Sequence, residues 1–436
     1  MKNKVDTIIN TRWILPIKPK NKVIENSSIV INNSIILDID NTDTINKKYE
    51  PKDLYNLNTH CVMPGLINNH THLSMSLFKG IADDLKLDEW LRNEIWPLET
   101  KYVDKEFVEL GSKLAIIELI KSGSTCFNDM YFFPEVTAYA SLELGIRASL
   151  GLITIDFPSN YAQNSEEYLE KGLDTRDKLK NETLISFTMA PHAPYTVGDE
   201  TLKKIFTLSN ELDLPIHMHI HETENEIIES IKKYNQRPIK RLLDLGLINP
   251  NFIGIHAVHL NSEDINILSK NKANLVSCPV SNLKLGSGIP SNALENSKKI
   301  NLSFGTDGSA SNNKLDILSE ARLGSLLLKG LSKDATKLNS NNALECLTIN
   351  AAKSLGMENK IGSIEKNKAA DLIAINFNKI ISQPIFNPTS HIVNAIDREN
   401  ISHSWVNGKC IMKDRNVLTI DENLIIQKVQ RFVKKF

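Results

Sequence analysis

Between residues 63 and 355 the chain alternates short apolar runs with amphipathic ones, eight times over. The apolar runs fall at 62–68, 124–129, 147–153, 184–190, 215–221, 252–256, 273–278 and 301–305. Each has the length of a strand, and the residues between them carry helical spacing. In 104–122, Phe107, Leu110, Leu114 and Ile117 recur at helical intervals, with Asp104 placed to cap the start and Gly123 to stop the end. Further helical stretches are 199–212, 223–234, 262–271 and 316–329. Strands that alternate with helices argue for a parallel sheet. Eight such units fit an α/β fold of one kind, a closed (β/α)8 barrel of the TIM type.

The chain ends read differently. Runs at 7–10, 28–31 and 35–39, and again at 370–377, 391–395 and 402–406, are short and β-like, separated by polar turns. Asn407-Gly408 sits between two such runs and is a strong hairpin signal. The expectation is a small β-sandwich built from both ends: residues 1–62 and 360–436 flank a barrel at 63–359, and a terminal helix closes the chain. With 51 basic and 52 acidic residues, the net charge of −1 provides no bulk field for nucleic acid or an acidic membrane. Five scattered cysteines without a CxxC pair argue against a disulfide framework. No leader-like or membrane-spanning apolar run is present, so a cytoplasmic protein is expected.

The histidines carry the chemistry. In a strand the side-chain period is two, so His70 and His72 of Asn69-His70-Thr71-His72 share a face. His219 ends the fifth strand, His256 the sixth, and Asp307 follows the eighth. In this type of barrel the active site lies where the strands end. Imidazoles and a carboxylate gathered there suit a catalytic divalent metal such as zinc, and iron or manganese as well. Within His217-Met218-His219-Ile220-His221 all three histidines fall on one face by period. His217 reads best as a hydrogen-bonded core residue and His221 as a group that supports the ligands, but periodicity does not choose between them. Glu222, just past the strand, is placed to shuttle protons, although Glu222-Thr223-Glu224 also suits a first helical turn. His192, ending the fourth strand, faces the same mouth as a substrate donor. Glu99 follows Leu85, Leu87, Trp90 and Leu91, which could roof a pocket. Ser309–Asn313 and Asn282 read as polar loops around a ligand. No lysine lies where a carboxylated one would bridge two metals.

These pieces resemble the amidohydrolase superfamily, and within it the 5-methylthioadenosine/S-adenosylhomocysteine deaminases of the triazine hydrolase-like branch. The resemblance runs nearly end to end. It is carried by MPGLINNHTHLSMSLFKGIADDLKLDEWL at 63–91, APHAPYTV at 190–197, HMHIHE at 217–222, CPVSNLKLGSG at 278–288 and GTDGSASNN at 305–313. It implies one zinc per subunit on His70, His72, His219 and Asp307. It implies substrate contacts from Glu99 and His192, with Glu222 touching the purine and moving the proton. It also implies that Asp307 contacts water and substrate, and that His256 orients the water. The implied reaction is hydrolytic deamination of an adenine nucleoside, with no nucleic-acid or membrane partner; a homo-oligomer follows by analogy. Guanine, a pterin or a triazine is the alternative ring. Some members carry an arginine after the third barrel strand that grips the substrate. Here only Arg147 is present, early in that strand and suited to a structural role. This tilts the expectation from S-adenosylhomocysteine towards 5′-methylthioadenosine.

Overall fold

The computed structural model describes residues 1–435. Four strands begin the chain: β1 (Asn3–Ile14), β2 (Ile24–Asn32), β3 (Ile35–Asn41) and β4 (Tyr49–Pro64). Eight more follow, separated mainly by helices: β5 (Leu66–Thr71), β6 (Ser124–Asp129), β7 (Arg147–Thr154), β8 (Ile185–Pro191), β9 (Ile216–Ile220), β10 (Phe252–His256), β11 (Asn274–Ser277) and β12 (Asn301–Phe304). The chain ends with β13 (Leu372–Asn376), β14 (Ile401–Val406), β15 (Lys409–Lys413), β16 (Asn416–Val417) and a helix, Glu422–Val433.

The middle eight strands pair in parallel and in sequence order from β5 to β12. Every residue of β5, β6 and β7 is buried, as expected when both faces of a sheet are covered. The seam between the first and last strands is closed by polar contacts. Asp307 N donates to His70 O at 3.0 Å, Thr306 N donates to Asn68 Oδ1 at 3.0 Å, and Asn68 Nδ2 donates to Thr306 Oγ1 at 2.7 Å. The result is the (β/α)8 barrel that the alternation implied.

Both chain ends share the second sheet, in the order β16-β15-β14-β13-β4-β1-β2-β3. Ile9, Ile29 and Ile31 from its N-terminal half and Leu372, Ala374 and Trp405 from its C-terminal half lie in one apolar cluster, so the sheet folds over its own core. The hairpin turn between β14 and β15 falls at Asn407-Gly408, both with positive φ (50° and 78°). Arg147 pins this sheet to the barrel. Fully buried, it donates Nε to Asp371 Oδ2 at 2.8 Å and Nη1 to the Thr183 carbonyl at 3.0 Å.

Three local expectations change. Residues 62–64 do not open the barrel; they end β4, and Gly65 is the corner between the sheets, where any Cβ would overlap Thr125. The run at 391–395 is helical, within Pro388–Asn394, because Asn387 caps it by accepting from Ser390 N and Pro388 fits the first turn. Strand β9 stops at Ile220, one residue before His221. The helix Lys105–Lys121 is capped as its sequence implied, with Asp104 accepting from Phe107 N at 2.8 Å. No helix among the described residues is long and apolar enough to cross a membrane.

Candidate metal centre

Strand period two places His70 and His72 on one side of the end of β5, with ring centroids 4.8 Å apart. Strand β9 brings His219 to the same point, 4.9 Å from the His70 ring. After β12 the backbone of Asp307 turns through the left-handed region (φ 63°), which returns its carboxylate towards β5. This approach requires glycine at 305, where an added Cβ would lie 2.6 Å from His70 Cβ. Asp307 Oδ1 lies 3.3 Å from His70 Nε2 and 3.2 Å from His72 Nε2, and the Nε2 atoms of His70 and His219 are 3.2 Å apart.

The other ring nitrogens fix what these atoms can do. His72 Nδ1 meets the Met130 carbonyl at 2.5 Å, and His219 Nδ1 meets the His192 carbonyl at 2.8 Å. A carbonyl only accepts, so each Nδ1 carries the proton and each Nε2 keeps its lone pair. His70 Nδ1 lies 2.9 Å from His217 Nε2, so one of these rings donates to the other; with that proton on His70, its Nε2 is free as well. Three lone pairs and a carboxylate oxygen crowded this closely repel one another unless a cation lies among them. The donor set therefore fits a divalent metal: the ligand atoms of His70, His72 and His219 lie within 4.8 Å of one another, as do those of His70, His256 and Asp307. Burial lowers the His70 pKa to about 3, against the pull of Asp307. Burial would raise Asp307, but the close approach of the His70 and His72 imidazoles outweighs it and holds the carboxyl well below its usual range. Its second oxygen, Oδ2, is held by the hydroxyls of Ser281 at 2.7 Å and Ser311 at 2.8 Å.

Glu222 and His256 face this cluster from the next strand ends, with Glu222 Oε2 and His256 Nε2 3.6 Å apart. Burial, then the nearby Asp307 and Glu226 carboxylates, push Glu222 well above the usual carboxylate range. A pocket open to solvent lies over both, about 1040 Å³ with its open mouth included. Its wall includes His192 and Glu99, together with Leu87, Trp90, Leu91, Ile95, Trp96, Ile155 and Phe157. Glu99 Oε1 accepts from Tyr131 OH at 2.8 Å, and burial raises its pKa to about 7. Burial lowers His192 to about 3, helped by His72 and His70, so its ring is neutral; its Nδ1 meets Thr196 Oγ1 at 3.0 Å.

The structure thus brings together His70, His72, His219, Asp307, Glu222, His256, Glu99 and His192. His217 is a core histidine in contact with His70, the better of its two readings. His221 is a correction. Beyond the strand end its backbone is left-handed (φ 50°), and its ring turns away to accept from Ile239 N at 3.2 Å beside Arg237 and Asp264. It therefore supports none of the candidate metal ligands. Trp96, Tyr131 and Phe157 were not singled out by sequence. Tyr131 and Phe157 come from the loops after β6 and β7, and Trp96 opens the helix Trp96–Tyr102, where no periodicity marks a cavity wall.

A parallel barrel with such a cluster at its strand ends is the architecture of metal-dependent hydrolases. Residues 61–411 match the amidohydrolase family model, and the chain belongs to that family. A 5-methylthioadenosine/S-adenosylhomocysteine deaminase from Saccharophagus degradans is 43% identical over 428 residues, covering 98% of this chain and 96% of that one. A 5′-deoxyadenosine deaminase from Methanobrevibacter smithii is 38% identical over 377 residues, 86% of each chain. The crystal structure of an adenosine deaminase from Xanthomonas campestris with bound zinc superimposes with a TM-score of 0.98 at 35% identity, covering 100% of this chain and 99% of that one. The protein is an enzyme, a hydrolytic deaminase acting on a C–N bond.

Proposed function

We propose that this enzyme deaminates the adenine ring of 5′-methylthioadenosine, with zinc held by His70, His72, His219 and Asp307. The observation that carries this reading is the pairing of buried Glu222 and His256 above the candidate metal ligands, inside a cavity with a largely apolar wall. When bound, zinc supplies a Lewis acid that lowers the pKa of water to about 7. The chain's own residues do the rest. Glu222, whose pKa is raised by burial and by the nearby Asp307 and Glu226 carboxylates, donates a proton to N1 of the adenine ring as water adds at C6. As the carboxylate it takes one proton from the added water and passes it to the departing amine, and the remaining hydroxyl proton returns to Glu222. The C6–N bond breaks, ammonia leaves, and the ring keeps a C6 carbonyl. Neutral His256 accepts a hydrogen bond from the incoming water and orients it. Glu99 and His192 hold the ribose hydroxyls, with Tyr131 fixing the glutamate oxygen it donates to.

The choice of 5′-substituent rests on the cavity wall. Trp90, Leu91, Trp96 and Phe157 are among its lining residues, and the lining includes no lysine or arginine. A methylthio group suits such a wall, whereas a homocysteine carboxylate would lose its water shell without an ionic partner. The similarity to named deaminases of 5-methylthioadenosine/S-adenosylhomocysteine and of 5′-deoxyadenosine supports an adenosine-type substrate without ranking these. The test is ultraviolet absorbance of zinc-loaded enzyme with 5′-methylthioadenosine. Loss of the adenine band with ammonia release, abolished by a chelator, is the expected result. No change in metal-loaded protein overturns the reading, and a higher kcat/KM on S-adenosylhomocysteine overturns the substrate ranking.

A further inference from the structure

We infer that Glu226 is a positioning residue that fixes Glu222 for proton transfer, an inference that rests on the role given to Glu222 above. Strand β9 ends at Ile220, so no barrel ladder holds the backbone that carries Glu222. Glu226 holds it instead. Its Oε1 accepts from His221 N and its Oε2 from Glu222 N, each at 2.9 Å. The side chain is buried, at 7% exposure. One carboxylate thus grips two successive amides at a corner where His221 has left-handed backbone (φ 50°).

The position of Glu226 in its helix makes this arrangement specific. The helix Glu224–Tyr234 is capped by Thr223, whose side chain accepts from Glu226 N, so Glu226 is its third residue. A glutamate there ordinarily reaches back to the amide of the capping residue itself. Here it passes over Thr223 and takes the two amides before it. Its oxygens serve the corner that aims Glu222 rather than the start of the helix. The other side of the corner is anchored too, since Val258 N and His259 N both donate to the His221 carbonyl at 3.0 Å. These contacts fix the backbone from which the Glu222 carboxyl reaches its place 3.6 Å from His256 Nε2. An error of about 1 Å in such a group costs on the order of a hundredfold in rate.

The test is a double-mutant cycle on zinc-loaded enzyme, with metal content and melting temperature measured for every variant. Glu226→Gln keeps the shape of the side chain but sets an NH2 group against one amide N–H. It is expected to lower kcat about 30-fold with KM and zinc content nearly unchanged. In the Glu222→Gln background the same change is expected to cost less than about threefold, because Glu226 acts through Glu222. Amide exchange at residues 221 and 222 is expected to quicken in Glu226→Gln. Glu226→Asp guards against a folding defect: it keeps the charge but withdraws it by one methylene, and kcat is expected to fall about tenfold. An equal loss in both backgrounds, or parent-like kcat in both Glu226 variants, overturns the inference. Parent-like kcat in Glu222→Gln alone instead overturns the proton-shuttle reading on which it rests.

Discussion

At the mouth of the barrel His70 and His72 turn their Nε2 atoms towards the Asp307 carboxylate and His219 Nε2 lies 3.2 Å from that of His70, while in the terminal sheet the rings of His60 and His403 meet edge to face, 6.1 Å apart, beside Tyr55 and Trp405. Burial lowers a histidine in each group, buried His70 to about 3 and half-buried His60 to about 4. A depressed histidine is therefore no mark of a site by itself. The difference lies in where the nitrogens point. His403 stacks on Trp405 at 5.6 Å, turns Nδ1 to Ser402 Oγ at 2.8 Å and keeps Nε2 3.8 Å from an exposed Asp414. At the barrel mouth two carbonyls take the Nδ1 protons and leave the opposite nitrogens free to converge. Among the described residues, only the barrel mouth gathers three groups able to hold a metal.

The sharpest contrast comes from removing one group on each side. Asp307→Asn is expected to lose bound zinc and lower kcat by about 10³-fold, roughly 4 kcal/mol of barrier. His403→Phe is expected to keep full zinc content and parent-like kcat; elemental analysis with steady-state kinetics decides, and zinc loss in the second variant would erase the distinction. His217→Phe takes the partner from His70 Nδ1 without touching a candidate ligand. Chelator competition should show zinc affinity reduced about 10- to 100-fold. Ser281→Ala removes one of the two hydroxyls on Asp307 Oδ2, and an approximately tenfold weaker kcat/KM is expected, since hydrogen bonds to charged groups contribute about 1.5–3 kcal/mol. The smallest effect belongs to the sheet. The folded pKa of His60 is about 4 against an ordinary 6.5, so between those values the unfolded chain holds a proton that the folded chain does not. Its contribution to stability is present above pH 6.5 and is lost as pH falls towards 4. Denaturation at a series of pH values should show a flatter acid limb for His60→Gln, and an unchanged limb would refute the assignment.

Much of this was legible in sequence because strand and helix periods are local. Period two paired His70 with His72, and the alternation of elements placed His192, His219, His256 and Asp307 at the same ends of their strands. The same rule failed at His221, since periodicity holds only while the strand continues and the backbone turns left-handed one residue past Ile220. It failed at 62–64 because an apolar run reads alike in either sheet. It failed at 391–395 because short apolar runs suit a strand or a helix, and the cap at Asn387 decided.

The sequence alone determined the barrel and the sheet shared by both ends, because these follow from short-range spacing; it gathered the candidate metal ligands too, but the choice among His217, His219 and His221 came from the resemblance and not from periodicity. Tertiary structure decided which histidine nitrogens carry protons, that Ser281 and Ser311 hold Asp307, that Glu226 grips the corner under Glu222 and that the cavity lining holds no cation. Those facts depend on contacts between segments far apart in the chain, or on a backbone turn that no local pattern records, and only the folded chain supplies them.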